Sequence, residues 1–394
     1  MFKRVLIFSP LHYCGLLAVL FMIACAPVSK PVKQRFFWPL PVNGAEPKIE
    51  HMGFWTTDQS LSDSPQFSLL ENVVLGEYYP VELFKSPFWA TFLPGQRVAV
   101  SDTSLRQVVI LDLEKTEVRA LQDKQGHPYG FGLPMGVAVS DTGAIFVVDS
   151  ILGGVVKFGD DEKQIEIYGG ISILGHPVGI AVNDRTKVIY VSDVVEHNIA
   201  AFDLQGNLLY KIGERGSLDG QFNFPTAIDL DEAGNLYVLD TLNFRVQVFD
   251  SAGRYLRKFG ELGTEGGSFR LPKGLAVSPF GQVYVSDVLS HKVVVFDLQG
   301  RYLLSLGGQS FSRDAGGMTP GGFFAPRGIA ADATGRILVV DGLNKMIQRF
   351  QYLHKDYLKE HPILEEEVYL PPSYSRQLLT PMPPVVELEG ASND

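Results

Sequence analysis

The chain has 394 residues, is 45% hydrophobic and 20% charged, and carries 40 glycines and a formal net charge of −10. The excess of acid argues against a nucleic-acid partner, because neutralising phosphates requires a basic footprint. Its only cysteines are Cys14 and Cys25, which leaves no material for a cysteine-rich metal site or a CxxCH haem site.

The N-terminus reads as an address. Lys3 and Arg4 precede an apolar run from Leu16 to Ala24, the pattern of a secretory signal peptide and too short for a membrane span with stop-transfer. The run ends in Met22-Ile23-Ala24-Cys25, which resembles a bacterial lipobox with Met in place of the usual Leu. The resemblance implies cleavage after residue 24 and lipidation of Cys25, so that acyl chains hold the protein on a bilayer without a spanning helix. Cys14 leaves with the signal, the mature chain has a single cysteine and no disulfide, and its net charge becomes −12. Ala26 after the cysteine favours the outer membrane over retention at the inner one. Residues 25–46 are proline-rich and read as a tether.

From Phe84 onward one unit is written six times. Each copy opens with an apolar residue and, three positions later, a proline: Phe84/Pro87, Phe131/Pro134, Leu174/Pro177, Phe222/Pro225, Phe269/Pro272 and Phe323/Pro326. Each then reaches an aspartate: Asp102, Asp149, Asp193, Asp240, Asp287, Asp341. Both markers step by 43 to 54 residues and drift together, so the repeat is structural. Within Pro225–Gly260, Ala227–Leu230, Leu236–Leu239, Val246–Phe249 and Tyr255–Phe259 read as four strands separated by Asp/Gly turns. Six such units with no helical period predict an all-β six-bladed β-propeller of four-stranded antiparallel blades over residues 47–357. The sixth unit lacks a fourth strand, and Ile49-Glu50-His51-Met52-Gly53 has the shape of one. The N-terminal strand is therefore expected to complete the last blade, with Ile49 and Met52 as its core contacts, and so to remove an open edge.

These motifs resemble the NHL repeat. The resemblance is carried by the Phe/Pro opening, Gly179-Ile180-Ala181-Val182, Tyr284-Val285-Ser286-Asp287 and Arg245-Val246-Gln247-Val248-Phe249-Asp250, and spans about residues 84 to 350. It implies the propeller fold but does not choose among the enzymes and binding modules built on it. In the amidoglycolate-lyase branch three histidines converge on zinc at the ring centre. Here only His176 stands just before the leading proline; Ser86, Leu133, Phe224, Leu271 and Ala325 occupy the equivalent places. No metal, cofactor or catalytic residue is therefore expected, with a metal-dependent lyase or lactonase as the alternative function. The six aspartates repeat with the blade, and are expected to accept backbone N–H bonds in loops rather than to catalyse. Asp229, on an inner strand, would face the channel or bond its backbone neighbours.

Departures from the repeat carry more information about function. The connectors from Gly53 to Pro87 and from Gly307 to Pro326 are 34 and 19 residues long, against 12 from Gly260 to Pro272. They flank the sixth blade on one face, as a cap over blade packing or a partner surface. Residues just after the leading prolines should ring the channel mouth there: Phe88, Met135, Val178, Thr226, Lys273 and Arg327. The candidate binding face is Phe88, Trp89, Met135, His176, Lys273 and Arg327, with the two cations on adjacent blades, either paired with local acids or free to hold an anion. Residues 358–394 form a proline-rich tail, free or docked. The expected function is a scaffold binding a protein or ligand in a bacterial cell-envelope assembly.

Overall fold

The computed structural model describes residues 33–61, 80–162, 165–310, 319–371 and 379. Twenty-five strands form six sheets around a ring. Blade one is β3 (Pro87–Leu93), β4 (Arg97–Asp102), β5 (Gln107–Asp112) and β6 (Glu117–Ala120); blade two is β7 (Pro134–Val139), β8 (Ile145–Asp149), β9 (Gly154–Phe158) and β10 (Ile165–Gly169). Blade three is β11 (Pro177–Asn183), β12 (Val188–Asp193), β13 (Asn198–Asp203) and β14 (Leu208–Ile212); blade four is β15 (Pro225–Leu230), β16 (Leu236–Asp240), β17 (Arg245–Phe249) and β18 (Tyr255–Phe259). Blade five is β19 (Pro272–Val277), β20 (Gln282–Asp287), β21 (Lys292–Asp297) and β22 (Tyr302–Gly307). Blade six is β23 (Pro326–Ala331), β24 (Arg336–Asp341) and β25 (Met346–Tyr352), closed by β2 (Ile49–Trp55) and β1 (Phe36–Trp38).

The middle strands read as near-continuous apolar runs because each is buried on both faces between neighbouring blades. Val98, Val100, Ile145, Val147, Val238, Val285 and Val294 are all fully buried. The outer strands face solvent on one side, and β18 alternates accordingly. The apolar residue that opens each unit (Phe84, Phe131, Leu174, Phe222, Phe269, Phe323) plugs the space between blades and is almost wholly inaccessible. The glycines that end the outer strands of blades three, four and five (Gly213, Gly260 and Gly307) make room for the opening Phe of the next blade. Gly213 and Gly260 sit at φ +83° and +85°, and a Cβ on either would lie 2.3 Å from the ring of Phe222 or Phe269.

β2 pairs antiparallel with β25, as the sequence predicts for ring closure. One contact differs. A register shift between His51 and Gly53 turns Met52 outward, 40% exposed, and Trp55 takes the inward place beside Leu338, Val340 and Ile347. The tether boundary also moves. Residues 36–38 are a fifth strand on blade six, and Phe37 is buried with Leu353, Ile363 and Val368 in a core outside the ring. The chain beyond 357 is not free there. The short helix α1 (Lys355–Glu360) leads into a segment whose Val368 bridges Arg35 in parallel. The physical reason is a buried ion-pair set. The Arg35 guanidinium donates to both Glu50 carboxylate oxygens at 2.7 Å, to Glu367 Oε2 at 3.2 Å and to the Pro362 carbonyl at 2.9 Å. Of the long connector, Leu61, Leu83 and Phe84 pack between blades six and one with Trp55; its apolar residues from Phe67 to Tyr79, for which a cap or a partner surface is expected, lie outside the described residues.

Candidate functional site

Each innermost strand starts, and each second strand ends, at the same end of the ring, so the leading prolines and the aspartates share one face. The aspartates are staples. Asp102 Oδ2 accepts from the backbone N–H groups of Lys85 and Ser86 at 2.7 and 2.9 Å, and Oδ1 from Ser104 and Leu105 at 3.0 and 2.9 Å. Asp149, Asp193 and Asp287 repeat the pattern, tying the loop before one strand to the loop after the next. In blades four and six, Asn243 and Asn344 supply side-chain donors, Gln247 and Gln348 donate as well, and Arg245 adds an ion pair to Asp240 at 2.8 Å. Burial pushes the Asp341 carboxyl up to about 6 against these bonds. Neighbouring blades are latched by hydroxyls: Ser101 Oγ donates to the Met135 carbonyl at 2.6 Å, Thr241 to Pro272 at 3.2 Å, and Ser286 to Arg327.

On this rigid frame the six residues after the leading prolines converge. Phe88, Met135, Val178, Thr226, Lys273 and Arg327 all line one cavity of about 540 Å³ at the channel mouth, as do Trp89 and His176. Trp89 is mostly buried and belongs equally to the core between blades. The mouth has two halves. Blades one to three contribute Phe88, Trp89, Met135, His176, Val178, Val194 and Val195, while blades four to six contribute Thr226, Lys273 and Arg327 among Phe224 and Val288. The Thr226 hydroxyl is committed to Thr241 at 2.6 Å. No carboxylate lines the cavity, and no ion pair forms to Lys273 or Arg327 among the described residues. Arg327 instead lies with its guanidinium carbon 5.7 Å from the Phe88 ring centroid, and the bare backbone of Gly342 leaves it room, since a Cβ there would come within 2.9 Å of Arg327 Nε. Burial lowers the Lys273 pKa and nearby Arg327 lowers it further; burial alone lowers that of Arg327. Among the described residues, two half-desolvated like charges are held without counter-charge at a mouth that is apolar but for His176 and Thr226.

A second feature surrounds the mouth. Two positions beyond the aspartate, Ile151, Val195, Leu242, Leu289 and Leu343 stand between 39% and 64% exposed, one on each of blades two to six. Blade one has Ser104 there. Sequence reasoning missed this crown. Its signal is the repeat itself, because a loop position that is apolar five times and yet outside the strands is not filling the core.

The other sequence candidates fall elsewhere. His197 and His291 accept backbone N–H bonds from Phe224 and Ala325 at 3.2 and 3.4 Å, and His127 is an exposed loop residue. Asp229 bonds its backbone surroundings, accepting from Leu230 N and, across the blade boundary, from Val277 N, both at 2.8 Å; burial raises its pKa to about 6. No three side chains of metal-ligating type cluster among the described residues. Cys25 lies outside them.

The fold and face define a six-bladed β-propeller with a ligand-sized mouth. Residues 222–249 match the model of the NHL repeat, which places an NHL-type blade in this six-bladed propeller. No curated protein matches the sequence. Among solved structures the chain is similar to a structural-genomics protein of unknown function from Bacteroides thetaiotaomicron VPI-5482 (17% identity, TM-score 0.55, 68% of this chain and 70% of that one). It is similar also to an auxiliary nutrient binding protein from Bacteroides ovatus ATCC 8483 (16%, 0.53, 69% and 70%) and to virginiamycin B lyase from Staphylococcus aureus (13%, 0.50, 78% and 99%). At these identities the likeness is one of fold.

Proposed function

We propose that this protein is a binding scaffold of the bacterial cell envelope, held on a membrane through lipidated Cys25, whose propeller engages a protein partner with the mouth face. The observation that carries the binding reading is the crown. Five exposed apolar side chains at equivalent loop positions encircle one cavity, where a monomeric surface ordinarily scatters them singly. Loops presented by a rigid ring are where propellers place recognition. A neighbour of the same fold that is called a nutrient binding protein supports the general reading. The lipobox-like Met22–Cys25 sequence, preceded by Lys3, Arg4 and an apolar run, supports the envelope reading.

The test is capture from detergent-solubilised envelopes. Leu289→Glu with Leu343→Glu should lose the partner that the wild type recovers while keeping its melting temperature. Cys25→Ser should lose fatty-acid label and membrane association. Undiminished capture by the crown variant would move the partner site off this face, and equal labelling of Cys25→Ser would remove the anchor.

A further inference from the structure

We propose that the mouth cavity binds a small organic anion with an apolar body, its charged group seated between Lys273 and Arg327 and its body lying across the mouth against Phe88, Met135 and Val178. The inference deepens the binding reading above and rests on it for the choice of face.

Three observations carry it. The cavity volume of about 540 Å³ is that of a small-molecule site. Its polarity is divided by blade, apolar on blades one to three but for His176 and cationic on blades five and six, so a ligand spanning the mouth meets a different chemistry at each end. The cations are preorganised without being neutralised. Arg327 is placed by Phe88 and by the space over Gly342, and among the described residues no carboxylate takes its donors, which a ligand could then engage. Two like charges on one partly desolvated mouth repel each other, and a bound anion relieves that repulsion. Anions that are only charged would gain nothing from the apolar half, and neutral apolar molecules would leave both cations desolvated and unpaired.

Calorimetry on the full-length protein in detergent, with water-soluble probes, tests this. The probes are 3-phenylpropionate, its neutral amide and acetate. The acid is expected to bind about tenfold more tightly than the amide, the ratio expected of a charge-assisted contact, and acetate is expected not to bind measurably. Lys273→Met with Arg327→Met should bring the acid down to the affinity of the amide, while Val178→Trp should remove both by filling the cavity. Equal affinities of acid and amide for the wild type, or a preference for the acid that survives in the double methionine variant, would overturn the proposal. So would binding of neither probe. These results are independent of partner capture by the crown variant, so the ligand class and the partner face fail separately.

Discussion

The ring departs from its repeat in two places, at the outer edge of blade six and at the channel mouth, and the two departures are finished differently. At the edge, Arg35 is a foreign charge in a half-buried place. It is met by Glu50, Glu367 and the Pro362 carbonyl, with Phe37, Ile363 and Val368 packed beside it. At the mouth, Lys273 and Arg327 are equally foreign to the repeat, and among the described residues no acid meets them. A break whose charges are satisfied within the chain adds to the stability of the fold. A break left unsatisfied costs stability in the free protein, and the counterpart has to come from outside it.

The comparison is broken most forcefully at the edge. Glu50→Ala leaves the Arg35 guanidinium without its bidentate partner, and chemical denaturation should show a loss of about 3 kcal/mol, as two charge-assisted hydrogen bonds disappear while Glu367 and the Pro362 carbonyl still hold the half-buried charge. A loss below ~1 kcal/mol would mean that the N- and C-terminal segments merely rest on blade six. A smaller effect comes from His51, one residue along the same strand. Burial lowers its pKa from 6.5 to about 4, so the folded state holds it neutral while the unfolded state takes up a proton. Its contribution is present above about pH 6.5 and is lost as the pH falls toward 4, roughly 2 kcal/mol of it by pH 5. Replacing His51 with Phe, which keeps the ring packed on Phe350, should flatten the stability profile over that range. An unchanged slope between pH 7 and pH 5 would place the titration elsewhere.

Most of the ring is legible in the sequence because its determinants are repeated six times. A buried Phe or Leu, a leading Pro and a stapling Asp in every blade make the architecture and the closing strand readable without contacts. The mouth residues follow from the same phase, since the position after each proline must point to the channel whatever occupies it. The edge is not legible in this way. Phe36–Trp38 is only three residues long, its proline-rich surroundings read as a tether, and the acid that fixes Arg35 from the far side lies more than three hundred residues away at Glu367. The turn of Met52 outward is equally hidden, because the apolar spacing of Ile49 and Met52 suggests a phase three residues off: Met52 sits at the bulge that Leu209, Leu256 and Leu303 occupy in the other blades, and Trp55 takes the inward place of Ile212, Phe259 and Leu306. The crown was written in the repeat but sits in loops, where hydrophobic patterning is not ordinarily sought.

The most direct test of the central claim is the folding stability of Lys273→Met with Arg327→Met. If the mouth cations serve a ligand and not the fold, removing them costs nothing in chemical denaturation. The free energy of unfolding should stay within about 0.5 kcal/mol of the wild type, or rise as two desolvated like charges disappear. A fall of ~2 kcal/mol or more would show that these charges are satisfied inside the protein, and that the mouth, like the edge of blade six, belongs to the scaffold.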